Sequence, residues 1–277
     1  MNKVGILYHP KVEATQIKAK ELQEYLAASG VTVWMCSAWE GEKAKAQLND
    51  TGLILTVGGD GTILRAAQVV LPGRVPITGI NMGKLGFMTE LNTDEALGKL
   101  TSLLAGKGRI DERAMLQAEL STINGEEPRI FHSLNDIVVA RGAVARIVHI
   151  EAGIDGEQLT TYRADGVILA TATGSTGYSL AAGGPILYPQ SEDFLLMPIM
   201  PHLCSTYALV LPTTSVVELR ITTVHQASLS IDGHINLPLS SGDIITVRHS
   251  PNTVRFLRVN QETSFYGSLE QRLKGKQ

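Results

Sequence analysis

Apolar positions in the first third of the chain alternate between two textures. Residues 4–8 form a short continuous apolar run closed by His9-Pro10, as expected of a strand buried on both faces. Across 12–28 the apolar residues Ile17, Leu22 and Leu26 recur at helical spacing, and Gly30 supplies a stop. Residues 31–35 and 53–57 read as further strands, 63–70 as a helix and 76–80 as a strand. A helix over 93–104 opens at Thr93-Asp94-Glu95 and ends near Gly106. Strands alternating with helices predict an α/β layer around a parallel sheet.

After about residue 110 the pattern changes. From 115 to 259 the segments are short, rich in Val, Ile, Leu and Thr, and punctuated by Asn124-Gly125, Asp155-Gly156, Asp232-Gly233 and Ser241-Gly242. Residues 119–123 with 129–133, and 147–154 with 158–163, read as hairpins. Residues 264–273 turn helical again. The predicted organisation is an α/β domain over 1–110, to which 262–277 return, and a mostly β domain over 111–261.

Composition narrows the function classes. The 277 residues carry 24 Lys+Arg against 27 Asp+Glu, a formal charge of −3, with 44% hydrophobic and 18% charged residues. That balance excludes a disordered chain, and the near-neutral charge argues against a protein that coats nucleic acid. A small phosphorylated ligand, held by a few backbone amides, stays open. The two cysteines, Cys36 and Cys204, lie far apart, and the seven histidines are scattered, so neither a disulfide framework nor a metal site built from side chains is expected. No apolar run approaches the roughly 20 residues that span a bilayer. MNKVGILYHP runs straight into a strand pattern; a soluble, cytoplasmic protein is expected.

The sharpest local signal is Gly58-Gly59-Asp60-Gly61-Thr62, between a buried strand and a helix. Glycines let the backbone turn tightly and approach a ligand, and the helix start presents free N–H groups to an anion. A carboxylate among them would repel a phosphate unless a metal ion or a hydroxyl lies between. That arrangement suits a loop that holds phosphates and also receives a nucleophilic alcohol; the alternative is a sharp turn with Asp60 as a simple N-cap. Two better-known phosphate motifs do not fit. Leu64 stands where a dinucleotide fingerprint needs its third glycine, and the 79–84 segment is one residue short of a P-loop.

Two further clusters carry polar chemistry. Asn81-Met82-Gly83-Lys84-Leu85-Gly86-Phe87 follows a strand at its carboxyl end, where open α/β sheets bind ligands; Phe87 reads as a base-stacking ring or an ordinary core aromatic. In the β-rich half lie Asp165-Gly166, the 171–178 run ending in Tyr178, and Gly183-Gly184-Pro185. So many small hydroxyl residues and glycines make a poor core and can present hydroxyls and amides to a polar ligand. Asn135-Asp136, inside an apolar stretch, needs polar partners from a ligand or an internal network.

Taken together these clusters resemble the NAD kinase family. The shared pieces run in order from GGDGT at 58–62 through N-x-G-x-L-G-F at 81–87, Arg113 with Leu116, the Asn-acidic pair 135–136, DG at 165–166, TGST–Y at 174–178 and GGP at 183–185 to Pro201-His202. GGDGT alone is shared with phosphofructokinases and lipid kinases; the later motifs make the set specific. The resemblance implies an N-terminal α/β domain and a mostly β, NAD-binding C-terminal domain with the active site between them. It implies transfer of a phosphoryl group from ATP or polyphosphate, with magnesium or another divalent cation, to the 2′-hydroxyl of the adenosine ribose of NAD. Asp60 would hold and deprotonate that hydroxyl. Gly58, Gly59, Gly61, Thr62 and Arg65 would face the phosphates. Asn135 and Asp136 would contact adenosine, Asp165 the nicotinamide end, and Gly61, Phe87, Arg163, Thr173, Thr176, Gly177 and Tyr178 would complete the NAD pocket. A homo-oligomer, dimer or tetramer, is also implied. The sequence departs from the family pattern at Asp136 (Glu is usual), Gly177 (Ala), Ala172 (Pro) and across 201–208. Two competing readings are a lipid or sugar-phosphate kinase and a non-catalytic dinucleotide-binding module.

Overall fold

A computed structural model describes residues 1–83, 86–142, 146–202, 207–223, 225–260 and 265–274. Lys84, Leu85, Cys204, the rest of 203–206 and Ser264, which the motifs and segments above include, lie outside the described residues. The chain separates into two units, one formed by 1–112 with 254–277, the other by 113–253.

The first unit opens with β1 (Lys3–Tyr8), α1 (Glu13–Ala28), β2 (Thr32–Ser37), α2 (Gly41–Lys45), β3 (Leu53–Val57), α3 (Asp60–Val70), β4 (Ile77–Asn81), β5 (Leu91–Asn92) and α4 (Thr93–Leu104). The strands are parallel in the order β5-β4-β3-β1-β2, with Val4 of β1 set between Val33 and Leu53. Every residue of β3 and β4 is buried, which is why those runs show no alternation. Helix α1 buries Thr15, Ala19, Leu22 and Leu26. Ile17, expected on that stripe, is 62% exposed; five residues before Leu22, it lies about 140° around the helix from it. Gly30 ends the helix at φ +78, a left-handed position that a side chain would strain. Helix α4 spans Thr93–Leu104, the bounds its pattern predicts, with Asn92 as N-cap. Asn92 Oδ1 accepts from the N–H groups of Asp94 and Glu95 (both 3.0 Å), while Glu95 Oε1 accepts from Asn92 N (2.9 Å), a complete capping box.

The second unit continues with β6 (Arg109–Ser121), β7 (Arg129–Ser133), β8 (Asp136–Arg141), β9 (Val148–Ile154), β10 (Glu157–Ala164), β11 (Gly166–Ala170), α5 (Tyr178–Ala181), β12 (Phe194–Ile199), β13 (Leu209–Leu211), β14 (Val217–Ile221), β15 (Ala227–Ile231), β16 (Ile235–Leu239) and β17 (Ile244–Arg258). Its pairings are antiparallel. One sheet runs β13-β12-β11-β8-β15-β16; in the other, β9 lies between β10 and β14, and β14 pairs β17. Alternate residues from both sheets, such as Ile137, Val139, Val148, Ile150, Val167, Leu169, Leu219 and Leu229, form one apolar core. The two expected hairpins are present, with Leu116 opposite Ser133 and Ile154 opposite Glu157. Asp155 (φ +53) and Gly156 (φ +84) make the tight turn of the second. The chain passes between the units within β6 and within β17, whose Phe256 pairs Ile77 of β4. Helix α6 (Phe265–Lys274) belongs to the first unit.

The architecture is therefore an N-terminal α/β domain with a parallel sheet, a mostly antiparallel β domain, and a C-terminal helix. Among the described residues no helix is long and apolar enough to cross a membrane.

Candidate functional site

In the first unit β1 leads to β2 on one side of the sheet, and β3 leads to β4 on the other. The strand order reverses between β1 and β3, the place where open α/β sheets take ligands beyond the carboxyl ends of the strands. Gly58 leaves β3 there, and His9 leaves β1 beside it, its N–H donating to Val57 O at 3.1 Å. A Cβ on Gly58 (φ +154) would collide with Thr62 Oγ1 and stand 3.3 Å from His9 Cβ, so only glycine fits.

The five expected phosphate-facing residues divide into two groups. Gly58 N donates to Ile80 O and Thr62 N to Gly59 O, both at 2.9 Å, and the Thr62 side chain is wholly buried behind the loop. Those two hold the turn. The N–H groups of Gly59, Asp60 and Gly61 have no hydrogen-bond partner among the described residues, and open space surrounds the α-carbons of Gly59 and Gly61. Arg65 lies one turn after Gly61 on the same face of α3. Its guanidinium stacks 4.1 Å over the Trp39 ring, which meets the edge of His9 at 4.6 Å and 67°. Burial lowers the Arg65 pKa from its ordinary value, though arginine stays a cation. His9 and Trp39 were not singled out from the sequence; their place just after predicted strands was the available signal.

Asp60 is the first residue of α3, with Gly59 as N-cap, and its side chain makes no cap. The carboxylate instead reaches the loop after β4: Oδ2 accepts from Phe87 N at 3.0 Å and Oδ1 from Met88 N at 3.1 Å. The simple N-cap reading is thereby overturned. Each oxygen keeps acceptor capacity for a further donor, and the half-buried residue stays in reach of solvent. Gly86 is a steric requirement of this arrangement, because a Cβ there would strike the carboxylate, 2.8 Å from Cγ. Phe87 takes part through its backbone; its side chain is half-buried.

In the second unit a carboxylate missed by the sequence reading organises the polar pair. Asp232, seen there only as a turn residue, is buried with φ +50 and accepts four hydrogen bonds. They come from Ser133 Oγ (2.6 Å) and the backbone N–H groups of Leu134 (3.0 Å), Asn135 (2.7 Å) and Asp136 (3.2 Å). The internal network expected for Asn135-Asp136 is therefore present for their backbone. Their side chains differ: Asn135 Oδ1 is buried with no hydrogen-bond partner among the described residues. Burial, and secondarily the charge of Asp232, push the Asp136 carboxyl up to about 7.

The 171–178 run packs against this pair. Thr171 Oγ1 donates to Leu134 O (2.6 Å), Thr171 N donates to Asn135 O (2.9 Å), and a Cβ on Gly174 would collide with that same Asn135 carbonyl. At Gly177, where the family has Ala, a Cβ would lie 3.1 Å from Gly174 O, 3.6 Å from Asn135 Nδ2 and 3.8 Å from Asp136 Oδ2. The structure thus brings Asn135, Asp136, Gly174 and Gly177 together. The hydroxyls differ from expectation in being turned inward: Thr176 Oγ1 donates to Thr173 O (3.2 Å), Ser175 Oγ to Ala172 O (2.7 Å), and buried Arg113 Nη1 donates to Thr173 Oγ1 (3.2 Å). A dense turn satisfies its own backbone first. Gly177 and Tyr178, the latter 47% exposed, are the parts left facing outward. Asp165, at the β10–β11 corner, pairs with Arg141 Nε at 3.1 Å, while Arg163 is exposed and its carbonyl accepts from His202 N at 2.7 Å. Among the described residues no group of three or more His, Cys, Asp and Glu side chains could hold a metal ion.

Comparison with known proteins accounts for this combination. The family described as ATP-NAD kinase N-terminal domain matches residues 38–108, and the ATP-NAD kinase C-terminal domain matches 134–259. An NAD kinase of Dehalococcoides mccartyi is 49% identical over 273 residues, covering 99% of this chain and 96% of that protein. One of Chloroflexus aggregans is 38% identical, covering 99% of each. Among solved structures, yeast NADH kinase complexed with NADH superposes with a TM-score of 0.85 at 28% identity, covering 98% of this chain and 87% of that one. An Archaeoglobus fulgidus NAD kinase in complex with ATP gives 0.77 at 25% identity, covering 99% of both. On the strength of both domain matches and these full-length relatives, the chain belongs to the NAD kinase family.

Proposed function

We propose that this NAD kinase transfers the terminal phosphoryl group of ATP, or of polyphosphate, to the 2′-hydroxyl of the adenosine ribose of NAD, and that Asp60 aligns the hydroxyl. The observation that carries this reading is the Asp60 carboxylate, fastened by two backbone N–H groups and set beside three more, at Gly59, Asp60 and Gly61, that have no partner among the described residues. A carboxylate is too weak a base to strip a sugar hydroxyl beforehand. Phosphoryl transfer passes through a loose transition state in which the proton leaves late, so orienting the nucleophile is the main task. The free N–H groups and Arg65, preset on Trp39, supply positive potential for the phosphates. Asn135 Oδ1, buried and unmatched, suits a donor on the adenosine portion. Asp136, Gly177 and Tyr178 are assigned with it to the adenosine portion, and Arg163 and Asp165 to the nicotinamide end.

A divalent cation such as magnesium neutralises charge on the donor's phosphates when bound. Magnesium commonly rides on substrate phosphates with one or two carboxylates, so a dedicated cage of protein ligands is not required, and Asp60 is the carboxylate within this loop. A homo-oligomer is part of the proposal, since Met200 and Val210 expose apolar surface at the β12–β13 edge. Sedimentation showing only 29.8 kDa particles at micromolar concentration would remove that part.

The deciding experiment assays NAD and NADH as acceptors against ATP-magnesium and polyphosphate, for the native chain and Asp60→Asn. The substitution is expected to abolish turnover while leaving NAD affinity within about tenfold. A variant keeping a tenth or more of native activity would refute the role of Asp60.

A further inference from the structure

The hydrogen bonds that fix Asp60 lead to the far end of the chain. Phe87 N–H and Met88 N–H donate to the two carboxylate oxygens (3.0 and 3.1 Å). The carbonyls of those same two peptide units, Gly86 O and Phe87 O, both accept from Nη1 of Arg272 in α6, at 2.6 and 3.2 Å. A peptide unit is a rigid plane. Two successive planes therefore have Asp60 at their N–H ends and one guanidinium at their C=O ends.

We propose that Arg272 is a positioning residue for the phosphoryl-transfer site, acting on Asp60 through the Gly86–Phe87 and Phe87–Met88 peptide planes. For the Asp60 carboxylate to keep its place residue 86 must be glycine, because a Cβ would strike it. Glycine also leaves the backbone freest to rotate, at the residue next to the groups that aim the carboxylate. A cation pinned to both carbonyls removes that freedom and polarises the N–H groups toward Asp60. The guanidinium is itself held in place. Its Nε donates to Ser268 Oγ (3.2 Å), one turn back in the helix, and that hydroxyl donates to Phe265 O (3.2 Å). Lys274 on the same helix is a natural control, since it is 71% exposed and pairs only with Glu270 at 2.6 Å among its described ion pairs.

The inference rests on Asp60 being the aligning carboxylate. Arg272→Met, in the full chain, is expected to lower kcat about 10- to 100-fold with KM for NAD and for ATP changed less than about threefold, because misaimed groups cost rate more than binding. Arg272→Lys, which keeps a cation able to reach one carbonyl, is expected to recover activity to within about fivefold of native. Lys274→Met is expected to match the native enzyme. An unchanged kcat in folded Arg272→Met overturns the proposal, as does a change in KM alone. A kcat loss that Lys does not recover and that follows the fall in melting temperature also overturns it, since a mere fastening of α6 explains that pattern. Where the Met variant fails to fold, Arg272→Gln is read by the same criteria. An active Asp60→Asn defeats the reading of Asp60 itself. An inactive Asp60→Asn beside a fully active Arg272→Met defeats only the assignment of Arg272.

Discussion

Two aspartates, each followed by glycine, are put to opposite uses in the two units. Asp232 receives four donors from residues 133–136 and is buried, so its capacity to accept is consumed in shaping that segment. Asp60 receives two, from Phe87 and Met88, and remains half-buried with lone pairs to spare. A carboxylate becomes available for chemistry when the fold aims enough donors at it to fix its direction but not enough to saturate it. The motif by itself does not distinguish these cases.

The contrast can be broken by removing each carboxylate in turn. Asp60→Asn should cost turnover at least about 10³-fold, some 4 kcal/mol in the barrier, with only a small drop in melting temperature. Asp232→Asn should do the reverse. An amide offers one acceptor oxygen to four donors, and leaving buried N–H groups unmatched costs on the order of 3 kcal/mol. In a chain of this size that corresponds to a fall of about 5 °C in melting temperature, read by calorimetry, with weakened NAD affinity because Asn135 and Asp136 lose their backbone anchors. If Asp232→Asn melts like the native protein, the structural use assigned to it is wrong.

A finer test leaves both carboxylates in place. Gly86→Ala pushes a methyl group against Asp60, and the expected result is a loss of about tenfold or more in kcat with NAD affinity preserved. Equal losses in both would mean that the loop shapes binding instead of aim.

The smallest effect is one of pH. Asp136 is held up to about 7, chiefly by burial and then by Asp232, against an ordinary 3.8. The folded chain therefore keeps a proton that the unfolded chain releases, and this residue makes stability fall as pH rises from about 4 to about 7. Asp136→Asn removes the penalty. The melting temperature of the variant relative to the native protein should rise between pH 6 and pH 7, by the equivalent of about 1 kcal/mol. A difference that is flat with pH would show that Asp136 is ionised throughout.

Much of the frame was legible because it depends on short-range pattern. The run Leu53–Val57, apolar except for Thr56, reads as a doubly covered strand, and the glycines after it as a turn. The Asp155-Gly156 hairpin followed from local backbone preference. Ile17 misled because an apolar residue near a stripe looks the same in sequence as one on it. The hydroxyls of 171–178 misled because a string of Ser and Thr does not reveal whether its own carbonyls have already claimed them.

The site divides along the same line. Local sequence determined that residues 58–62 would be a glycine-rich turn bearing a carboxylate at a helix start, since turn geometry and helix ends are set by neighbouring residues. Tertiary structure alone decided what that carboxylate touches. Its partners come from 27 and 28 residues away, and the arginine that holds those partners is 185 and 186 residues from the carbonyls it grips. Asp232 reaches residues about a hundred positions earlier in the same manner. Hydrogen bonds act over about 3 Å of space whatever the separation along the chain, so the direction in which an acid points is settled only when distant strands and helices have packed.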